Sequence, residues 1–318
     1  METQRRLFIG SLPLWALLSL VLIKTLFAGT ISARENEPYL YILGVAQDAG
    51  YPQAGCFAPH CMPGWENPAL RRGATSIAII DPAAEKNWLF EATPHMPDQL
   101  YALRQEADLP LGGVFLTHAH IGHYAGLMFF GREAMGTNGV PVYAMPRMTN
   151  FLSTNGPWSQ LLELNNIQLY PISEQRPMID NGITVTPFLV PHRDEYSETV
   201  GYHIRGPSRT ALFIPDINKW EDWDVDVAEL VLSVDYALLD ATFYADGELG
   251  NRDMSQIPHP FVSESMELFE EFTEGQRNKV WFIHFNHTNP LLDPESEESR
   301  FVIEEGYNIA REGVRLSL

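Results

Sequence analysis

A chain of 318 residues in which 45 % of the side chains are hydrophobic can bury a large core, and its length fits one large α/β domain or two small ones. The 41 acidic side chains outnumber the 21 basic ones, for a formal net charge of −20 at pH 7. Because so acidic a surface repels phosphate backbones, nucleic acid is excluded as an expected partner, and a small molecule is the expected substrate.

The first 33 residues have the composition of an export signal. Two arginines precede an apolar run over 7–23, and a stretch of small residues ends at Ala33. This order predicts a signal peptide over 1–33, cleaved after Ala33, and a periplasmic or secreted protein of net charge −22, with 18 basic and 40 acidic side chains. An uncleaved anchor is the less favoured alternative, because a glycine and a proline interrupt the run; contact with a membrane is expected only through this segment.

Residues 34–318 form the predicted folded domain. A short strand is predicted over 39–45, followed by a loop rich in glycine and proline that contains the sequence GCFAPHC. In an exported protein, Cys56 and Cys61 favour a small local disulfide. A zinc knuckle that includes His60 is the alternative, although no fourth ligand is evident nearby.

Four apolar strands along the rest of the chain each end just before a histidine or an aspartate. The strands at 114–116, 188–190, 212–214 and 280–283 are followed by His118, His192, Asp216 and His284. Continuous apolar runs suit strands that are buried on both faces, and ligands gather beyond the carboxyl ends of such strands. The four strand ends therefore predict one site assembled from distant parts of the chain.

The heptapeptide THAHIGH supplies three of the histidines. His118 and His120 are two positions apart, so in an extended segment their imidazoles leave on the same side and can hold one cation. His123 begins a predicted helix and can turn toward the same point. Together with His192 and Asp216, these residues offer the imidazoles, the carboxylate and the open water position that are typical of catalytic zinc.

This order of residues resembles the metallo-β-lactamase superfamily, whose signature HxHxDH is followed by a distal histidine, an aspartate and a last histidine. The resemblance covers 39–318, and the segments LGVAQDAGYPQAGC, EATPHMPDQL and IHFNHTNPLL point to the branch that contains the pyrroloquinoline quinone (PQQ) synthesis protein PqqB and the cyclic phosphodiesterase PhnP. It implies a four-layer αββα sandwich, an α/β fold with metal at one edge.

The resemblance also implies two metal positions. Carried over to this chain, the ligands of the first metal are His118, His120 and His192, the bridging carboxylate is Asp216, and the second metal keeps His123 and His284. The aspartate of HxHxDH is Gly122 here, so the second position is expected to be weakened unless His287 or a water replaces the missing oxygen. Zinc is the expected metal, with iron or manganese as alternatives.

Further side chains are expected to act around the metal. His259 resembles the histidine that phosphodiesterase members place near the leaving group, although a surface histidine that caps a helix is an equally good interpretation. His287 is predicted to be a ligand or a proton shuttle, and Asp240 to orient a metal-bound histidine. His95 is expected at most to line the pocket, and His203 to be structural.

The function predicted from the sequence is that of an exported metal-dependent hydrolase. A metal-activated water would attack an ester, lactone or phosphodiester of a small molecule, with Asp216, His259 and His287 as the catalytic side chains. One alternative is a mononuclear iron oxygenase related to PQQ-type cofactor biosynthesis, in which two histidines and Asp216 form a facial triad. Another is a non-catalytic metal-binding protein, since a fold does not determine a function.

Overall fold

Two seven-stranded mixed sheets pack face to face in the computed structural model, which describes residues 36–250 and 252–318. The predicted signal peptide, 1–33, lies outside the described residues. Within the described ranges, no helix has the length and apolar character needed to span a bilayer.

The first sheet comes from the first half of the chain, closed at one edge by the last strand. Its strands, in spatial order, are β14 (Arg315–Ser317), β1 (Tyr39–Gly44), β2 (Ser76–Asp81), β3 (Lys86–Phe90), β4 (Leu111–Phe115), β5 (Val140–Ala144) and β6 (Ile167–Pro171). Pairs from β14 to β3 are antiparallel, and pairs from β3 to β6 are parallel. The parallel part carries the end of β4, from which THAHIGH emerges.

The second sheet comes from the second half of the chain and mirrors this arrangement. Its strands, in spatial order, are β13 (Asn308–Ile309), β12 (Val280–Ile283), β11 (Tyr236–Asp240), β10 (Thr210–Ile214), β9 (Val200–Arg205), β8 (Ile183–Leu189) and β7 (Met178–Asp180). Pairs from β13 to β10 are parallel, and the remaining pairs are antiparallel. Because β10, β11 and β12 run in parallel, the residues that follow them lie along one edge.

Helices cover the outer faces of both sheets. They are α1 (Met62–Glu66), α2 (Met96–Glu106), α3 (Ile121–Tyr124), α4 (Pro146–Thr154), α5 (Trp158–Glu163), α6 (Val227–Leu232), α7 (Val262–Leu268), α8 (Glu274–Arg277) and α9 (Glu297–Glu304), with 3₁₀ turns at Pro68–Leu70, Ala125–Phe130, Trp220–Asp222 and Pro290–Leu292. Apolar side chains of α2, α4 and α5 share a core with the first sheet, and those of α6, α7 and α9 with the second. The predicted four-layer αββα sandwich is thereby confirmed.

Strand β2 shows why the apolar runs in the sequence are nearly continuous. Ile77 and Ile79 belong to the core between the two sheets, whereas Ala78 and Ile80 belong to the core beneath the helices. Successive side chains of a strand point to opposite faces, so a strand that is covered on both sides needs an apolar residue at every position.

Aromatic packing between the sheets fixes the end of β4. The rings of Phe90 and Phe115 stack with their centroids 4.7 Å apart, and Tyr202 of the second sheet meets Phe90 edge to face at 5.3 Å. The buried hydroxyl of Tyr202 donates a hydrogen bond to the carbonyl of Leu116. The second sheet therefore positions the backbone just before THAHIGH.

The segment after β1 joins the two sheets at the same edge. Ala46 forms isolated parallel bridges with Ala74 on one side and Phe285 on the other. Phe285 N donates to the carbonyl of Val45 at 2.8 Å, and Gln47 N donates to the carbonyl of Phe285 at 2.7 Å. The loop that begins at Gln47 is consequently held beside the residues that follow β12.

The cysteine loop adopts the first of the two arrangements expected for it. Cys56 and Cys61 form a disulfide with an S–S distance of 2.08 Å. The Nε2 atom of His60 lies 3.5 Å from the sulfur of Cys56. The ring of His287 packs against that of His60 at a centroid distance of 5.6 Å.

A half-buried glutamate, Glu248, links the loop after β11 to the segment after β12. Glu248 accepts hydrogen bonds from the Tyr244 amide at 2.6 Å and from the Thr288 hydroxyl. Burial raises the pKa of the Glu248 carboxyl to about 7, because loss of water outweighs these two hydrogen bonds. The folded protein therefore holds this proton more tightly than the unfolded chain does.

We expect Glu248→Gln to flatten the pH dependence of stability. With a folded pKa of about 7 and an unfolded value of 4.5, the wild-type contribution is full below pH 4.5 and is lost as the pH rises through 7. The loss amounts to at most about 3 kcal/mol. Urea unfolding at pH 5 and pH 8 measures it, with the exposed Glu221→Gln as control. Equal pH dependence in Glu248→Gln and wild type would contradict the assignment.

Candidate metal centre

Three imidazoles converge at the predicted edge of the sandwich. His118 and His120 follow β4, and His192 follows β8. The Nδ1 atom of His120 lies 2.9 Å from Nε2 of His118 and 3.2 Å from Nε2 of His192. These residues, with Asp216, form the first cluster, in which all four donor atoms lie within 4.8 Å of one another.

Asp216 lies at the centre of the site. Its Oδ2 atom is 3.2 Å from Nε2 of both His118 and His192, and 3.6 Å from Nε2 of His123. The side chain follows β10 and is buried. The carboxylate of Asp216 therefore borders the first cluster and also lies next to His123, which belongs to a second group of donors.

The second cluster consists of Asp48, His123 and His284. The Oδ1 atom of Asp48 lies 3.0 Å from Nε2 of His123 and 3.8 Å from Nε2 of His284. Both histidines were predicted here from the sequence. Asp48, which comes from the loop that begins at Gln47, was not. The histidine spacing gives no sign of it, because Asp48 reaches the site only through the bridges that join the two sheets.

Asp48 occupies the space beside Gly122. A Cβ atom at Gly122 would lie 2.5 Å from the Cα and Cβ atoms of Asp48 and 2.7 Å from its Cγ, closer than real Cβ contacts come. His287 or a water was expected to replace the oxygen missing at Gly122, but the side chain found at the second cluster is Asp48. The carboxylate is present but comes from another part of the chain.

The arrangement of the donor atoms suits coordination of a metal ion better than hydrogen bonding among the donors themselves. Four of them are buried without a hydrogen-bond partner among the described residues: Asp48 Oδ1, Asp216 Oδ1, His123 Nε2 and His284 Nε2. Although they approach neighbouring donors at ion-pair distances, they are not directed as hydrogen bonds, and orphaned buried polar atoms are costly. Imidazole nitrogens with carboxylate oxygens suit zinc, iron or manganese.

Outer hydrogen bonds orient the imidazoles of the first cluster. Nδ1 of His118 lies 2.8 Å from the Thr117 hydroxyl, and Nδ1 of His192 lies 3.2 Å from Oδ1 of Asn218. Because an amide oxygen can only accept, His192 carries its proton on Nδ1 and turns the lone pair of Nε2 toward the cluster. Such partners fix the tautomer of a metal-binding histidine.

His284 is held by a chain of two hydrogen bonds. The Thr242 hydroxyl lies 2.6 Å from Oδ1 of Asp240 and 3.0 Å from Nδ1 of His284. A carboxylate only accepts, so the hydroxyl donates to Asp240 and accepts from His284. His284 also has a φ of +71°, a strained value for a residue other than glycine. Asp240 thus orients this histidine, as predicted, but it does so through Thr242, a residue that was not predicted.

Glu91 stands behind His123. Its Oε1 atom accepts from the Thr117 amide at 3.2 Å, and its Oε2 atom lies 3.5 Å from Nδ1 of His123. Burial opposes protonation of His123, but the carboxylates of Asp48 and Glu91 outweigh it and raise the pKa of this imidazole well above its usual value. Glu91 is the third residue, after Asp48 and Thr242, that was not predicted from the sequence, because nothing distinguishes it from an ordinary buried acid at the end of a strand.

Protons and a metal ion would compete for the imidazoles of the site. Burial disfavours the charged form of His284, yet Asp240 and Asp48 raise its pKa to about 9. Burial likewise opposes ionisation of Asp216, but nearby imidazoles, His192 first, hold its pKa well below the usual range. Since a metal binds the neutral imidazole, binding would release protons and strengthen as the pH rises.

His259 lies directly behind Asp216. Its Nδ1 atom is 2.8 Å from Oδ2 of Asp240 and 3.3 Å from Oδ1 of Asp216. The residue is only 5 % exposed, so the interpretation as a surface histidine that caps a helix is wrong. Burial opposes its protonation, but the two carboxylates raise its pKa.

The remaining predicted side chains lie apart from the two clusters. His287 groups with His60 and the disulfide instead of with Asp216, so it belongs to neither cluster, whereas His284 lies in the second cluster as predicted. His95 accepts a hydrogen bond from Ala74 N at 3.2 Å and lines a separate cavity of about 530 Å³. His203 lies within β9, where it pairs with Leu212 of the neighbouring strand.

This combination of fold and donors defines a class of protein. The family profile of the Beta-lactamase superfamily domain matches residues 80–285, and the chain belongs to that superfamily, with the metallo-β-lactamase fold. Within it, the chain falls in the PqqB-like branch: it is 27 % identical over 305 residues to coenzyme PQQ synthesis protein B of Methylobacterium sp. (strain 4-46), covering 87 % of this chain and 99 % of the relative.

Solved structures show the same fold. Zinc-bound PqqB from Methylobacterium extorquens superposes with a TM-score of 0.70 at 24 % identity, over 88 % of this chain and 100 % of that chain. A diphosphatase of the PhnP family superposes with a TM-score of 0.61 at 22 % identity, over 89 % of this chain and 97 % of that chain.

Replacing His120 by Ala is expected to remove one metal equivalent. His120 supplies the nitrogen that lies between those of His118 and His192, so its loss leaves two imidazoles in the first cluster. Metal content by inductively coupled plasma mass spectrometry is the measurement, and His203→Ala is the control, a histidine outside both clusters. Unchanged metal content in the His120 variant would refute the site.

Proposed function

We propose that the chain is a metal-dependent hydrolase that cleaves an ester, lactone or phosphodiester of a small molecule, with zinc as its metal. The observation that carries the proposal is the position of Asp216 between two histidine clusters, 3.2 Å from His118 and 3.6 Å from His123. A mononuclear iron triad needs only two histidines and one carboxylate. The donors here exceed that set and suit hydrolytic metal chemistry better.

The chain's own residues have distinct tasks in such a reaction. Zinc bound here would lower the pKa of a water to about 7 and polarise the substrate oxygen. The two clusters would hold the metal, and the hydrogen bonds behind them orient the imidazoles of His192 and His284. Because the Nδ1 atom of His259 is hydrogen-bonded to Asp240, its Nε2 atom is the one that would give a proton to the leaving oxygen.

Export completes the proposal. The charged, apolar and small-residue order of 1–33 supports a signal peptide, and the disulfide between Cys56 and Cys61 supports an oxidising compartment such as the periplasm or the cell exterior. A small-molecule substrate is in keeping with the acidic surface.

A second candidate function is a step in the synthesis of a PQQ-type cofactor. The 27 % identity to coenzyme PQQ synthesis protein B, over 99 % of that protein, favours it. As an oxygenase it would use iron and oxygen, although PqqB from Methylobacterium extorquens has been solved with zinc bound. The three imidazoles of the first cluster weigh against it, because a facial triad contains two.

Metal content and turnover together decide between the two candidates. Residues 34–318, purified without chelator or added metal, are analysed by inductively coupled plasma mass spectrometry and assayed against p-nitrophenyl acetate, a lactone series and bis(p-nitrophenyl) phosphate. Zinc with turnover of one class supports the hydrolase. Predominant iron would move the cofactor-synthesis candidate to first place, and full zinc loading without turnover of any class would favour a metal-binding protein.

The His259→Gln variant tests the proton donor. We expect kcat to fall roughly 10²- to 10⁴-fold on substrates with a poor, alkoxide leaving group and much less on p-nitrophenyl substrates, whose leaving group needs no proton. Metal content should stay at the wild-type value, and His203→Gln serves as the control. An equal loss on both kinds of substrate would indicate a structural role for His259.

A further inference from the structure

The carboxylate that the family motif lacks in this chain has a replacement. We propose that Asp48 is a ligand of the second metal, in place of the aspartate that HxHxDH would carry at position 122, and that Gly122 is the residue that admits it. The inference rests on the proposed function as a metal-dependent enzyme. It gives the loop after β1 a role in metal binding that the THAHIGH segment does not indicate.

The Asp48 carboxylate has the position of a ligand. Its Oδ1 atom lies 3.0 Å from Nε2 of His123 and 3.8 Å from Nε2 of His284, and it has no hydrogen-bond partner among the described residues. Oδ1 is fully buried, although 39 % of the side chain as a whole is exposed. One oxygen thus faces the donors while the rest of the carboxylate borders solvent, as suits a ligand at an accessible metal position.

Backbone hydrogen bonds hold this loop independently of any metal. Gln47 N donates to the carbonyl of Phe285 at 2.7 Å, and Gly50 N donates to the carbonyl of Gln47 at 2.8 Å, which closes a turn around Asp48. Gly50 has a φ of +76°, a conformation that glycine adopts without strain. Because Phe285 follows His284 directly, the same hydrogen bonds set the distance between Asp48 and His284.

A side chain at position 122 is sterically incompatible with the observed position of Asp48. The Cβ contacts of 2.5 Å at Gly122 include the backbone Cα of Asp48, which cannot turn aside as a flexible side chain could. Any side chain at 122 would therefore push the loop out of the site. The loss of the motif aspartate and the entry of Asp48 are two parts of one arrangement.

Without Asp48 the second cluster would be a poor metal site. It would offer the imidazoles of His123 and His284 and a share of Asp216. Asp48 brings the number of protein donors to four and adds a negative charge, which offsets part of the charge of a divalent cation. A second position with both features can hold metal beside the first.

Zinc titration of two variants tests the assignment. Asp48→Asn removes the charge with little change in shape, and Gly122→Ala introduces the Cβ that displaces the loop. Matched controls are Asp108→Asn, which is exposed in a surface ion pair, and Gly275→Ala, where a Cβ meets nothing within 4 Å. Each protein, as the full mature chain, is stripped of metal, checked by thermal unfolding, titrated with zinc alone and analysed for bound equivalents after desalting.

Wild type and both controls are expected to hold two zinc equivalents, and both test variants one. The second equivalent should bind at least about 100-fold more weakly in the test variants, beyond the 10- to 100-fold typical of losing an outer partner. Two tight equivalents in Asp48→Asn, or only one in wild type, would overturn the proposal, and wild-type affinity in Gly122→Ala would overturn the role given to Gly122. Two equivalents in wild type with no hydrolysis would remove the proposed function but leave the ligand assignment standing.

Discussion

The buried carboxylate of Asp216 is the constraint around which the rest of the structure is arranged. Its two oxygens lie within 3.6 Å of His118, His192, His123 and His259, and only 4 % of the residue is exposed. An ionised carboxylate removed from water costs several kcal/mol unless positive charge or hydrogen bonds compensate it. The sandwich meets this cost by bringing four strand ends to one edge, where imidazoles surround the carboxylate and leave room for a cation.

The two sheets contribute differently to that edge. The first sheet supplies THAHIGH, and Tyr202 of the second sheet fixes its approach through the carbonyl of Leu116. The second sheet supplies the distal ligands on parallel strands, with Thr242 and Asp240 behind His284. Two buried residues at this edge have a left-handed backbone conformation: Glu91 and His284 both have a φ of +71°. Such strained conformations persist only where the surrounding structure enforces them, and here Glu91 faces His123 and His284 faces Asp48.

Much of the fold and most members of the two candidate metal clusters follow from local patterns in the sequence. An apolar run that ends just before a histidine or an aspartate is visible without any tertiary information, and the strands ahead of His118, His192, Asp216 and His284 were predicted from it. Asp48, Glu91 and Thr242 carry no such pattern, because they reach the site through contacts between the sheets. His287 shows the converse error. It lies three positions after His284, but its ring packs against that of His60, away from Asp216.

The exchange between Gly122 and Asp48 bears on how proteins of this kind are found in genomes. A search that requires the aspartate of HxHxDH would discard this chain as degenerate, although a carboxylate from 74 positions earlier in the chain fills the same space. A more discriminating search would pair the two segments, asking for a glycine before the third histidine of THAHIGH together with the aspartate of AQDAG. Chains that satisfy both conditions would form a group defined by the geometry of one site and not by a single contiguous motif.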